Sequence, residues 1–128
     1  MKTININGVE FEYMEKSKYD KMNARGKAIE LDGMEYCIVR TYSAGVFAGY
    51  VEKREGKEVI IRKVRRIWYW DGANSLSQLA VDGTLKPENC KFACEVDKII
   101  VTEAIEIIPC TEKARKSIME VEEWKLKD

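Results

Sequence analysis

The amino-acid sequence predicts an α+β fold: an antiparallel sheet of about six strands, or a partly closed small barrel, with two short helices. Three observations support this prediction. Runs rich in β-branched and aromatic residues recur along the chain, and glycine-containing turn signals separate them. Helix-start signatures occur at only two places. The 128 residues contain no repeat or linker, so we expect a single domain over residues 1–128.

The first predicted element is a β-hairpin over residues 3–13. Apolar or aromatic residues alternate on each side of Asn7-Gly8, and Asn-Gly is the strongest short signal for a two-residue hairpin turn. Residues 14–33 are polar, and they predict a loop with some helical turns.

Three strands follow, and we expect them to pair as an antiparallel meander because short bends connect them. They are predicted at residues 34–43, 46–54 and 57–70, with bends at Ala44-Gly45 and Glu55-Gly56. The third strand is the longest of the three, and Asp71-Gly72 interrupts its pattern.

A short helix is predicted over residues 75–82. Ser75 and Gln78 have the spacing of a capping box, in which the two side chains satisfy free backbone N–H groups at a helix start. Gly83 is a suitable stop, because glycine readily adopts the conformation that ends a helix.

Two strands and a second helix complete the predicted fold. Residues 95–101 and 103–108 are rich in isoleucine and valine, and Pro109 ends the run because it cannot donate to a ladder. Thr111 is a suitable N-cap for the last helix, and the apolar residues that follow it share one helix face.

Charge and composition argue against several classes of protein. The 22 basic and 22 acidic residues cancel, which disfavours a globally basic nucleic-acid-coating protein but allows a local basic patch. A hydrophobic content of 45% disfavours disorder. The absence of histidine removes Ser-His-Asp and Cys-His catalysis, histidine metal sites and histidine general bases. A binding protein is therefore favoured over an enzyme.

The cysteines and the N-terminus predict a cytoplasmic protein with reduced thiols. The N-terminal segment lacks the apolar core of a signal peptide. No apolar run reaches the roughly 20 residues that span a bilayer. Cys90 and Cys94 are separated by three residues and could both lie near a metal, but without histidine or a second close pair they support a zinc site only weakly. We expect no metal, no cofactor and no membrane association.

Residues 62–78 carry the strongest chemical signal. In a regular strand alternate side chains share a face, which places Arg62, Arg66, Trp68 and Trp70 on one face and Arg65, Ile67 and Tyr69 on the other. Guanidinium groups bind phosphate in a bidentate manner, and aromatic rings stack on bases. The strand also leads to a predicted helix N-terminus, which favours anions. The segment therefore predicts a site for a phosphorylated nucleotide.

Each of these features also has an ordinary structural interpretation. Tryptophan and tyrosine more often pack in a sheet or core than bind a ligand, and strand arginines can form a solvated edge. Asp71 and Asn74 suit turn and capping roles, Phe92 suits a core position, and Arg115 suits a solvated helix face. Arg40 lies in an apolar strand, where it requires a carboxylate, a ligand or a solvent-facing position.

The segments RTYSAGVFAGY at residues 40–50 and RRIWYWDGANSLSQLA at residues 65–80 resemble the Thoeris anti-defence proteins, a phage-encoded family. A third segment, from Cys90 to Lys113, is also similar, and the resemblance extends over residues 34–118. It implies a sponge that binds, without degrading it, a cyclic ADP-ribose isomer made from NAD as an immune signal in the infected cell. Residues 1–33 lie outside the resemblance.

The resemblance also implies partners and a place for the site. Members of that family form dimers or larger homo-oligomers in the host bacterial cytoplasm, with pockets at a subunit interface, and some hold cyclic oligonucleotides at separate sites. By their chemistry, the candidate ligand residues fall into three groups. They are Arg40, Arg62, Arg65, Arg66 and Arg115 for the pyrophosphate; Phe47, Trp68, Trp70 and Phe92 for the adenine; and Asp71, Asn74 and Gln78 for hydroxyls or the base edge.

Three other functions remain open from the sequence. A basic and aromatic strand also suits a module for single-stranded nucleic acid, whose affinity would fall steeply with salt, although the neutral overall charge argues against it. A structural or adaptor protein would keep its aromatic residues in the core and bind neither ligand. An enzyme that destroys the same signal, such as a phosphodiesterase, is disfavoured by the lack of histidine and of a metal-ligand cluster.

Overall fold

A computed structural model describes the backbone of residues 2–6 and 9–13 and the full side chains of residues 26–126. The strands are β1 (Lys2–Ile6), β2 (Val9–Tyr13), β3 (Glu35–Thr41), β4 (Val46–Glu55), β5 (Glu58–Tyr69), β6 (Lys91–Phe92), β7 (Val96–Val101) and β8 (Ala104–Pro109). The helices within these ranges are α1 (Leu76–Asp82) and α2 (Glu112–Glu120), and a single 3-10 turn covers Pro87–Asn89. These elements confirm the predicted α+β fold.

The predicted N-terminal hairpin is confirmed by antiparallel pairing of β1 with β2, in which Ile6 lies opposite Val9. This pair forms a two-stranded sheet of its own. The predicted Asn7-Gly8 turn lies outside the described residues. So does the part of the predicted loop that precedes Gly26.

The main sheet has six antiparallel strands in the order β6-β5-β4-β3-β8, and β7 also pairs with β5. The predicted meander is confirmed as its centre. Because β5 has 12 residues, its outer edge accommodates two partners in succession. Its first half pairs with β7, from Val59 opposite Val101 to Val64 opposite Val96. Its second half pairs with β6, where Ile67 lies opposite Phe92.

The sheet is strongly coiled, because only Thr102 and Glu103 separate β7 at one edge from β8 at the other. The Ala104 amide donates to the Lys57 carbonyl at 2.9 Å, and the Tyr42 amide donates to the Glu103 carbonyl at 2.9 Å. The β4–β5 turn and the far end of β3 therefore meet at the same short link. The sheet is an open coil, and the barrel alternative is not realised.

Apolar side chains form one core on each face of the sheet. The larger core lies between the sheet and the two helices, and its fully buried members include Ile38, Leu79 and Ile118. A smaller core lies on the opposite face and contains Val39, Phe47, Val59, Ile61, Val64 and Val101. Alternation along β3 separates Ile38 from Val39 in this way.

The prediction that β5 is a regular strand is wrong, because it contains a bulge at Lys63. Ala48 pairs with Arg65 and Tyr50 with Arg62, so Gly49 alone faces two residues of β5. Lys63 has a φ of 46°, the left-handed conformation of a bulge residue. The bulge reverses the alternation of side chains, so Arg62 lies on the face of Tyr50 whereas Arg66 lies on the opposite face, that of Phe47.

The helix signals are confirmed. The Ser75 hydroxyl accepts from the Gln78 amide, and Gly83 ends α1 with a φ of 75°. The Thr111 hydroxyl accepts from the Ala114 amide at the start of α2. Within the ranges that the structure describes, no helix is long and apolar enough to span a membrane.

Candidate functional site

Arg66 is a cation held between aromatic rings. Its guanidinium carbon lies 4.8 Å from the centre of the Phe47 ring and 5.4 Å from that of Trp68. These distances are within the range of cation–π attraction. The strand pairing places Arg66 directly opposite Phe47, so the fold itself sets the contact.

The Nε of Arg66 is buried and has no hydrogen-bond partner among the described residues. Leaving such a donor unsatisfied costs about 1–3 kcal/mol, and more when the group is charged. No carboxylate in the described part of the chain lies within ion-pair distance of Arg66. Arg66 therefore retains the donor capacity and the charge that an anionic ligand requires.

Trp68, which adjoins Arg66, lies beside a second exposed tryptophan, Trp124. Trp68 is 59% exposed, Trp124 is 50% exposed, and their ring centres lie 6.3 Å apart with an angle of 69° between the planes. The Lys91 ammonium lies 5.3 Å from the Trp124 ring centre. We call Arg66, Trp68, Trp124 and Lys91 the arginine–tryptophan surface. It combines cations for phosphate with aromatic faces for a base.

Arg65 does not belong to this surface, although the sequence predicted it as a pyrophosphate ligand. It is only 4% exposed. Its guanidinium donates to the carbonyls of Ile118 and Val121 at 2.8 and 2.7 Å, and to those of Ala93 and Phe92 at 2.8 and 3.2 Å. Burial lowers the pKa of Arg65. Its donors are thus occupied in tying the end of α2 to the sheet.

The other three predicted arginines have carboxylate partners. Arg40 contacts Glu106 at 3.3 Å, across the strand pair that joins them. Arg62 lies 3.4 Å from both Glu52 and Asp97. These three ion pairs are solvent-accessible and contribute little to stability, but the charges of Arg40 and Arg62 are already balanced.

Of these three arginines, Arg115 forms the most buried ion pair. Its Nε and Nη2 donate to the two Glu112 oxygens at 2.7 and 2.6 Å. Glu112 also accepts from the Ile29 amide at 2.9 Å. The hydrogen bonds from Arg115 hold the pKa of Glu112 below its usual value. This arrangement fastens the segment before β3 to α2 and leaves no free charge for a ligand.

Among the predicted aromatic ligands, only Trp68 is exposed. Phe47 and Phe92 are fully buried, in the smaller and the larger core respectively. Trp70 packs against the larger core, on the other face of the sheet from Phe47. The expectation that these three rings stack on adenine is therefore corrected, because they are packing residues. Phe47 also packs against the Arg66 guanidinium.

The predicted polar ligands are turn and capping residues in the structure. Asp71 accepts from the Gly72 amide at 2.8 Å and from Asn89 at 3.0 Å, and the bond from Asn89 is the main reason for its lowered pKa. The Gln78 side chain accepts from the Asn74 amide at 2.7 Å. The Ser75 hydroxyl accepts from the Gln78 amide at 3.1 Å, so one of the free amides at the start of α1 is already occupied.

An open groove of about 520 Å³ has Trp124 in its lining. It is lined by Pro87, Glu88, Cys90, Glu122, Glu123, Trp124, Lys125 and Leu126. Three of these eight side chains are glutamates, so the groove repels phosphate. Over the part of the chain that is described, no three metal-ligating side chains gather at one place.

The sequence analysis missed two members of the arginine–tryptophan surface. Trp124 lies in a short charged segment, and Lys91 lies between the first predicted helix and the strand predicted from residue 95. Neither position belongs to a periodic pattern. Their contact with Trp68 depends on the pairing of β6 with β5 and on the course of the chain after α2, which local patterns do not reveal.

The fold and the site define a small α+β protein with a basic, aromatic surface on an open antiparallel sheet. Residues 34–118 match the domain of unknown function DUF6948. Since the match covers most of the chain, the protein belongs to this family. No curated protein and no solved structure matches the chain.

Proposed function

We propose that this protein is a sponge for a cyclic ADP-ribose isomer, which it binds without cleaving and so withholds from Thoeris immunity. The observation that carries the proposal is the unsatisfied guanidinium of Arg66 beside the exposed ring of Trp68. A buried donor without a partner is costly in the free protein. The buried Nε is itself closed to solvent, so a phosphate would pair with the other nitrogens of this guanidinium.

The ligand chemistry follows from the neighbours of that guanidinium. A pyrophosphate offers several anionic oxygens, which pair with arginine more strongly than neutral acceptors do. An adenine offers a flat face for Trp68, and such stacking contributes about 1–3 kcal/mol per base. A compact molecule that carries both groups matches the spacing of adjacent side chains on one strand.

The residues around Arg66 favour binding over catalysis. Phe47 and Trp68 cannot act as an acid, a base or a nucleophile. The chain has no histidine. We therefore expect the ligand to be released unchanged.

The surface is open in one copy of the chain, since Trp68 is 59% exposed. Tight binding sites usually enclose most of the ligand surface. We include in the proposal that a second copy covers the arginine–tryptophan surface and closes the site. Light scattering of the protein with and without ligand, together with the binding stoichiometry, tests this part.

The direct test is calorimetric titration with glycocyclic ADP-ribose, followed by heat release and chromatography of the ligand. We expect submicromolar affinity and intact ligand. Arg66→Ala should weaken binding by roughly 10- to 100-fold, the effect of losing charged hydrogen bonds. Arg54→Ala is the matched control, because Arg54 is exposed near the β4–β5 turn and donates only to the Gly56 carbonyl.

Two results would overturn the proposal. Absence of binding at tens of micromolar would exclude a sponge for this ligand, and recovery of a cleaved product would indicate an enzyme. The exposed tryptophans and cations also suit single-stranded nucleic acid. Titration with oligonucleotides of increasing length, at two salt concentrations, would identify that alternative by length-dependent and strongly salt-dependent affinity.

A further inference from the structure

We infer that Trp124 contacts the nucleotide and determines specificity by forming a second aromatic wall for the base beside Trp68. The inference rests on the proposed function and extends it to a residue outside the family match, which ends at Ile118. The base platform would thus belong in part to this chain's own C-terminal segment.

The segment that carries Trp124 is fixed to the sheet. The Trp124 amide donates to the Phe92 carbonyl at 2.9 Å, and Glu123 forms a parallel bridge with Phe92. Arg65 donates to the Val121 carbonyl at 2.7 Å. Backbone bonds on both sides of residue 122 therefore determine where the indole lies, independently of any ligand.

The two indoles form a corner. Their planes meet at 69° with ring centres 6.3 Å apart, and about half of each side chain remains exposed. Arg66 lies against Trp68, and Lys91 lies against Trp124. A planar base that stacks on one indole would meet the other at its side, which selects ring shape as well as apolar character.

Charge orients the ligand in this corner. Glu88, Glu122 and Glu123 line the same groove as Trp124 and repel phosphate. The unpaired guanidinium of Arg66 attracts phosphate at the opposite end. A purine nucleotide would therefore place its base at the tryptophan corner and its phosphates towards Arg66.

The test is calorimetric titration of glycocyclic ADP-ribose into the full-length protein and four variants, at several salt concentrations. Trp124→Ala should weaken binding on the order of tenfold, as for loss of one stacked base. The slope of affinity against salt should stay the same, because stacking releases no counterions, whereas Arg66→Ala should reduce it. Trp124→Phe should retain most of the affinity. Leu126→Ala is the matched control, since this neighbour is 95% exposed.

Each other result has a definite meaning. If the wild-type protein does not bind the ligand, the proposed function fails and this inference fails with it. If the wild type binds and Trp124→Ala binds equally well, only this inference is overturned. If Trp124→Phe loses as much affinity as Trp124→Ala, or if Trp124→Ala also changes the salt slope, Trp124 has a structural role. Thermal unfolding of each variant verifies that it is folded.

Discussion

Arg65 and Arg66 are neighbours on β5, yet their guanidinium groups lie on opposite faces of the sheet. The two groups also differ in their hydrogen bonding. Arg65 donates to four backbone carbonyls. Arg66 has a buried Nε without an acceptor among the described residues. Two adjacent arginines therefore differ in role, since Arg65 stabilises the fold and Arg66 remains available for binding.

Replacement of Arg66 by methionine separates binding from stability. Methionine keeps an apolar stem between Phe47 and Trp68 and removes the unsatisfied donor. We expect the free energy of unfolding to change by less than about 1 kcal/mol, because relief of the donor offsets the lost cation–π contacts. Ligand binding should weaken by roughly 10- to 100-fold, as for Arg66→Ala. Urea unfolding without ligand and calorimetry with ligand measure the two effects.

Arg54→Met is the control for the Arg66 variant, because Arg54 is exposed and its substitution should alter stability by no more than about 0.5 kcal/mol. A loss of several kcal/mol in Arg66→Met would contradict our interpretation. It would show that the Arg66 guanidinium holds the fold together.

Arg65→Met should have the opposite profile. It leaves the carbonyls of Ile118 and Val121, among others, buried without their donor. We expect a loss of roughly 3 kcal/mol in the free energy of unfolding. Arg65→Lys should recover little of this loss, because one ammonium cannot reproduce the planar fork of a guanidinium. Urea denaturation measures both values, and an unchanged midpoint in either variant would refute the prediction.

The bulge in β5 depends on Gly49. A Cβ at this position would lie 2.7 Å from the Ile61 side chain, 2.8 Å from the Arg62 carbonyl oxygen and 2.9 Å from the Val64 Cα. Gly49→Ala should therefore lower the free energy of unfolding by about 2–3 kcal/mol through overpacking. It should also weaken ligand binding, because it disturbs the turn of β5 that directs Arg66.

Gly56→Ala is the comparison for Gly49→Ala, since a Cβ there meets nothing within 4 Å and only the positive φ of 58° opposes it. Gly56→Ala should lower the free energy of unfolding by about 1 kcal/mol and should leave the ligand affinity unchanged. If Gly49→Ala proved as mild as Gly56→Ala, the close packing at the bulge would be unimportant.

Stability should fall in acid because of Glu112. The hydrogen bonds from Arg115, helped by the Ile29 amide, lower its pKa in the folded state relative to the ordinary value of 4.5. A group with a lowered folded pKa stabilises the protein above its unfolded pKa. That stabilisation is lost as the pH falls through the folded pKa.

Glu112→Gln tests this linkage. The variant should be less stable than the wild type at pH 7 by roughly 3 kcal/mol, as for a broken buried ion pair. The difference should shrink below about pH 4.5, where the unfolded wild-type carboxyl becomes protonated. Thermal unfolding across pH 3–7 measures the difference, and a gap that stayed constant would exclude Glu112 as its source.

Most of the fold could be predicted from the sequence because its signals are local. The caps at Ser75 and Thr111 and the glycine stop at Gly83 act over three or four residues. The β-branched and aromatic residues of β3 and β4 similarly reflect the burial of both faces of these strands. These elements were predicted to within a few residues.

The site could be predicted only in part, because its geometry depends on longer-range features. The bulge opposite Gly49 reversed the faces of β5, so Arg62 and Arg66 could not be assigned to the same surface. Whether an arginine is free depends on partners such as Glu106 or the carbonyls at the end of α2, which lie far away in sequence. Of the predicted ligand residues, only Arg66 and Trp68 lie in the arginine–tryptophan surface, and their binding role stays a prediction.

The two-residue link between β7 and β8 has a consequence for how the sheet opens. Edge strands ordinarily fray independently of each other, and their amide protons then exchange with solvent at separate rates. Here Thr102 and Glu103 join opposite edges, and bonds to Lys57 and Tyr42 hold both corners at the link. Neither edge can peel away without pulling on the other. Deuterium should therefore enter β7 and β8 together, as a single opening event that spans the sheet.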